Sequence, residues 1–159
     1  AQCRATRRDR ATRLDPAHAM IVVKFGGTSV GDAAAIRRTV AIVGERRSRS
    51  PVVVVSALSG TTNRLLEIAA HASEGQLIVA LTILEELRTR HLAVIEELLS
   101  GDERYEEVVG ETGALFDELA HLAEALSVLG HVTPRSHDAV AAMGERLSAP
   151  IVTAAMQRE

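Results

Sequence analysis

A chain of 159 residues, 47% hydrophobic and 25% charged, has the size and balance of one ordinary globular domain, long enough to bury a core. A formal charge of −3, with one Tyr, two Phe and no Trp, argues against a nucleic-acid surface, which needs basic patches and stacking rings. No apolar run reaches the roughly 18 residues that a membrane span requires, and the single Cys3 excludes an intramolecular disulfide and suits the reducing cytoplasm, the expected location.

Residues 1–19 stand apart. Arg4, Arg7, Arg8, Arg10 and Arg13 outweigh Asp9 and Asp15, leaving +3 on this stretch and −6 on the remainder. With no apolar segment of the secretory kind, it is expected to be a disordered basic extension ahead of a domain that begins at Met20. Met20 to Phe25 then reads as a buried strand, and Pro51 to Ser56 as a second, each a short β-branched run between turn residues. Asp32 to Arg47 reads as a helix capped by Asp32, with Ile36, Val40 and Val43 on one face and Arg46 and Arg47 suited to its C-terminal end. Strand, helix and strand within about 35 residues make a βαβ unit, which places the two strands parallel.

Beyond the second strand the chain turns helical. A helix is expected from about Arg64 to Ala72, then 76–99 and 102–129, punctuated by Gly101 and Gly130. The leucines of the last two segments fit either a coiled-coil hairpin or a helical layer of the same domain. A further helix spans 133–156, with Pro150 as a possible break. His71, His91, His121, His131 and His137 show no metal-ligand spacing and are expected at the surface or in caps; no metal-ligating set is recognised.

Two loops at strand ends carry the chemistry. The first, V-V-K-F-G-G-T-S-V-G over 22–31, runs an apolar strand into a lysine, two glycines and two hydroxyls. Glycines let the backbone approach a ligand, and free N–H groups can face anionic oxygens. Neither familiar phosphate loop fits: Asp32 and Ala33 stand where a Walker A motif needs Lys and Ser or Thr, and Gly26, Gly27 and Gly31 miss the dinucleotide spacing. On the residues alone, a phosphate cradle and a plain strand–turn with an exposed lysine both stay open. The second loop, S-A-L-S-G-T-T-N over 56–63, should open beside the first, because ligands of open α/β sheets bind at that edge.

The string K-F-G-G-T-S-V (24–30) resembles the opening signature of aspartate kinases, members of the amino-acid kinase family. Val55, Ser56, Ala57, Gly60, Thr62 and Asn63 follow that family's V-S-A-x-x-G-x-T-N, and Met143 to Ala149, M-G-E-R-L-S-A, resembles its G-E-x-[LM]-S segment. The resemblance implies an α/β fold with an open, mainly parallel sheet and flanking helices, rich in helix after residue 62. It also implies ATP, with Mg2+, as phosphoryl donor and the β-carboxylate of L-aspartate as acceptor, the step that opens the route to lysine, threonine and methionine. Lys24 would then be catalytic, stabilising transition-state charge. Lys24, Gly26, Gly27, Thr28 and Ser29 would bind phosphate, and Ser56, Thr62 and Glu145 the substrate, Glu145 at its ammonium.

Catalytic domains of that family run to about twice this length. The expectation is therefore that 20–159 is the N-terminal portion of such a domain, with little activity alone, associating with a second copy or with the remainder of the enzyme, and with neither nucleic acid nor a membrane as partner. Two other readings stay open: a different amino-acid kinase, or a non-catalytic paralogue serving as an assembly module.

Overall fold

The computed structural model describes residues 20–158; the basic extension expected over 1–19 lies outside the described residues. Strand β1 (Val22–Phe25) pairs in parallel with β2 (Val52–Val55), with Lys24 beside Val54 and Phe25 beside Val55. Helix α1 (Ala33–Gly44) crosses between them, as a parallel pair demands. Asp32 caps it: its Oδ1 accepts from the Ala35 N–H at 2.7 Å. At the other end Arg46 donates to the Ile42 carbonyl at 2.6 Å, satisfying a group that the last turn leaves free.

Four helices follow: α2 (Thr61–Ser73), α3 (Leu77–Leu99), α4 (Tyr105–Leu129) and α5 (Pro134–Gln157). Helices α3 and α4 form an antiparallel hairpin, as the Arg88–Asp117 and His91–Phe116 contacts show, and α2 and α5 pack onto it. The leucine-rich segments are thus a helical layer and not a free coiled coil.

Two apolar cores result. One lies under the sheet and gathers Phe25, Val30, Ile36, Leu58, Ile95, Leu99 and Ile151; the other, among α2 to α5, gathers Leu65, Leu84, Phe116, Leu119, Met143 and Leu147. Helices α3 and α5 run through both and tie the layer to the sheet.

Three expectations need correction. The strands are not buried on both faces. Val23, Phe25, Val53 and Val55 point to the helices, while Val22, Val52 and Val54 are exposed, because helices cover a single face of the two-stranded sheet. Helix α5 does not break at Pro150. The proline forfeits one N–H, but Leu147, Ser148, Ile151 and Val152 are buried on either side of it, and that packing holds the helix through. His91 is not a surface residue: it is fully buried where the two cores meet, with Nδ1 2.8 Å from the Leu87 carbonyl and its ring edge-on to Phe116.

Candidate functional site

The two loops at the C-terminal ends of the strands lie side by side. A Cβ on Gly27 would stand 3.0 Å from the Ala57 carbonyl oxygen, and one on Gly31 would stand 3.0 Å from the Ser59 Cβ. Both positions therefore require glycine for close approach. Gly26 differs, since nothing lies within 4 Å of its Cβ position and its surroundings are open to a ligand.

After β1 the chain tightens into a 3-10 turn over Gly27–Val30, with Ser29 N–H donating to the Gly26 carbonyl at 2.9 Å. Buried Thr39, on α1, donates to the Ser29 carbonyl at 2.8 Å and fixes the turn from below. Among the described residues no acceptor meets the N–H groups of Gly26, Gly27 or Thr28. Three successive free amides thus lie beside the exposed Lys24. Lys24 stands on the sheet face turned away from the helices and makes no ion pair among the described residues, so its charge is available.

On the loop between β2 and α2, Gly60 (φ +78°) makes the left-handed turn into α2 that a side chain would strain. No side chain caps this helix, and the N–H groups of Thr62 and Asn63 find no acceptor among the described residues, leaving a second place where partial positive charge faces outward. Helix α5 closes the site from the far side. Glu145 brings Oε1 to 3.3 Å from the Ala57 N–H and to a long 3.5 Å from Ser56 Oγ. Gly144 allows this, since a Cβ there would come within 2.7 Å of the Ala57 Cβ and 3.7 Å of Thr62 Oγ1. One turn on, buried Ser148 donates to the Ser56 carbonyl at 2.9 Å.

The structure thus brings Ser56, Thr62 and Glu145 together, with Gly27 against the same loop. Lys24, Thr28 and Ser29 belong to the first loop, and Lys24 has no direct contact with Glu145. Charge is left unmatched on both sides. Arg146, next to Glu145, turns to Glu118 in a two-pronged pair of 2.8 Å bonds, which holds the Glu118 carboxyl below its usual range, so Glu145 keeps its own charge free of a cationic partner among the described residues.

Sequence reasoning missed Thr39 and gave Ser148 no role. Thr39 carries no signal of its own. Ser148 sits inside the M-G-E-R-L-S-A string, and its place one turn after Glu145 on a helix was readable there. Among the described residues no group of three or more His, Cys, Asp or Glu comes together. A groove of about 500 Å3 between α4 and α5, lined by Arg104, Glu111, Arg146 and Thr153, shares no residue with the loops.

Comparison with known proteins points to one family. The profile described as the amino acid kinase family matches residues 19–159. The bifunctional aspartokinase/homoserine dehydrogenase 1 of Arabidopsis thaliana is 31% identical over 137 residues, covering 86% of this chain and 15% of that protein. The aspartokinase of Schizosaccharomyces pombe is 33% identical over 153 residues, covering 90% of this chain and 29% of its own length. Among solved structures, E. coli aspartokinase III in complex with lysine and aspartate superposes with a TM-score of 0.73 at 28% identity, covering 87% of this chain and 29% of that one; its complex with aspartate and ADP gives 0.70. The chain therefore spans well under a third of these relatives.

Proposed function

The chain belongs to the amino acid kinase family, and from that premise we propose that it serves the transfer of the ATP γ-phosphoryl group to the β-carboxylate of L-aspartate. The observation that carries the reading is the placement of Glu145: an unpaired carboxylate at hydrogen-bond reach of the Ser56–Ala57 loop, beside a separate loop of free amides and a free lysine. One side suits an ammonium, the other suits phosphate oxygens. An amino acid phosphorylated on its side-chain carboxylate needs both.

In this reading the amides of Gly26, Gly27 and Thr28 hold phosphate oxygens, with the Thr28 and Ser29 hydroxyls beside them. The free N–H groups at the start of α2 and the Ser56 and Thr62 hydroxyls orient the substrate carboxylates, and Glu145 exchanges its bond to the loop for the substrate ammonium. The β-carboxylate oxygen forms a bond to the γ-phosphorus as the bond from that phosphorus to the β,γ-bridging oxygen breaks, giving an acyl phosphate and ADP. The nucleophile is already an anion, so no general base is assigned. Lys24 supplies positive charge where it builds up on the transferring group. Magnesium, which accompanies ATP in such transfers, would neutralise phosphate charge; it needs only one or two protein carboxylates, and no residue here is assigned to it.

The uncovered Val22, Val52 and Val54 favour a second reading, an assembly module without catalysis. Hydroxylamine trapping of the acyl phosphate separates the two. The kinase reading expects hydroxamate, little from this chain alone and more when the remainder of a catalytic domain is supplied, that requires both ATP and aspartate and falls about 100-fold in Lys24→Ala, the usual cost of one transition-state donor. Product made equally well by Lys24→Ala, or made as readily from glutamate or N-acetylglutamate, overturns it.

A further inference from the structure

Arg90 lies on α3, outside the three strings that resemble the family signatures, yet its side chain reaches the meeting point of the two loops. Its Nη2 donates to the Gly31 carbonyl at 3.0 Å, and its Nη1 lies 4.0 Å from where a Cβ on Gly60 would stand. Gly31 ends the phosphate-side loop and Gly60 ends the substrate-side loop. The guanidinium is half-buried and, among the described residues, makes no ion pair, although Arg88 on the same helix pairs with Asp117 and nearby Arg64 pairs with Glu86. Its charge is spent on a backbone carbonyl.

That contact has a purpose that packing alone does not serve. At their bases the two loops are joined by the Ser56 N–H, which donates to the Phe25 carbonyl at 3.1 Å; beyond it they touch through Gly27 against Ala57 and Gly31 against Ser59, and among the described residues no hydrogen bond runs directly between 26–31 and 57–60. Such contact is not directional. A planar guanidinium is: it presents several donors in a fixed fork and loses little freedom in binding.

We propose that Arg90 is a positioning residue of this site, clamping the phosphate-side loop against the substrate-side loop through the Gly31 carbonyl. It thereby sets how Lys24 and the free amides stand relative to Ser56, Thr62 and Glu145. The inference deepens the kinase reading and rests on it only for its ligand arm.

The test compares wild type, Arg90→Lys and Arg90→Met, the last keeping the apolar stem without charge or fork. Amide hydrogen exchange in the unliganded chain is read at the bonded amides of the two loops, Ser29 and Thr61. Exchange in both loops is expected to rise about tenfold in Arg90→Met, in keeping with loss of one charge-assisted bond, and to recover in part in Arg90→Lys, with exchange within α3 and α4 unchanged. Titration with ADP and Mg2+ is then expected to give a Kd about tenfold weaker in Arg90→Met, with the same partial recovery by lysine. Loops that exchange at the wild-type rate in Arg90→Met, or a rise shared by all of α3 and α4, would overturn the proposal. If wild type binds no ADP, the exchange measurement alone decides the clamp.

Discussion

Replacing Gly144 by alanine tests whether α5 presses on the β2–α2 loop as closely as the site requires. The new Cβ would stand 2.7 Å from the Ala57 Cβ and 3.4 Å from Leu65 Cδ1, whereas carbons pack best at about 3.5–4.0 Å. Ala57 and Leu65 are both buried, so neither can swing into solvent. Helix propensity alone would favour alanine by about 0.8–1.0 kcal/mol, while overpacking of a filled core costs about 1–3 kcal/mol. The net expectation is a loss of up to about 2 kcal/mol, with the Ser56–Glu145 contact opened. Gly110 and Gly113, inside α4, have nothing within 4 Å of their Cβ positions, so alanine there should add about 0.5–1 kcal/mol each. Urea unfolding followed by circular dichroism reads all three, and Ala57→Gly in the Gly144→Ala background should restore part of the loss, a coupling of about 1 kcal/mol. If Gly144→Ala stabilises the chain as Gly113→Ala does, the close approach of α5 is wrong.

Acid should weaken the fold through His91. Burial, more than the nearby Arg90, lowers its pKa to about 4, against an upward pull from its bond to the Leu87 carbonyl. An unfolded histidine titrates near 6.5, so between those limits the unfolded chain binds the extra proton; stability is whole above about 6.5 and falls by about 3 kcal/mol as pH drops to 4. Arg88, over the Phe116 ring, pairs with Asp117 of α4. Unfolding at pH 7 and pH 4.5 should therefore differ less in His91→Leu than in wild type; equal pH dependence of the two would show that His91 is not the group that titrates. Asp32→Ala removes the cap on α1 and should cost about 1 kcal/mol, read by thermal melting, whereas Asp32→Ser should cost only a fraction of that. Equal losses for the two would deny the capping role.

The βαβ unit was legible because its signals are local: β-branched runs, Asp32 before an apolar period, and arginines at the helix end. The glycines of these loops read in the sequence as points of close approach to a ligand; in the structure Gly27, Gly31 and Gly144 are where one segment of the chain approaches another. What the sequence hid depends on neighbours remote along the chain. Val22, Val52 and Val54 look like core residues until it is seen that helices cover one sheet face only. His91 looks polar and exposed until α4 closes over it. Pro150 looks like a stop until burial of Ile151 and Val152 outweighs one missing hydrogen bond. Arg90 reaches across 59 positions to Gly31, and no periodicity or motif announces such a contact.

The central claim is that Glu145 reads the ammonium of an amino-acid substrate while the α2 end and its hydroxyls read the carboxylates. Calorimetric titration of L-aspartate against succinate, which lacks only the ammonium, tests it directly in wild type and Glu145→Gln. The account predicts aspartate bound at least about tenfold more tightly than succinate, the worth of one charge-assisted hydrogen bond, with the preference lost in Glu145→Gln. Equal affinity of wild type for the two acids, or a preference that survives Glu145→Gln, would contradict it.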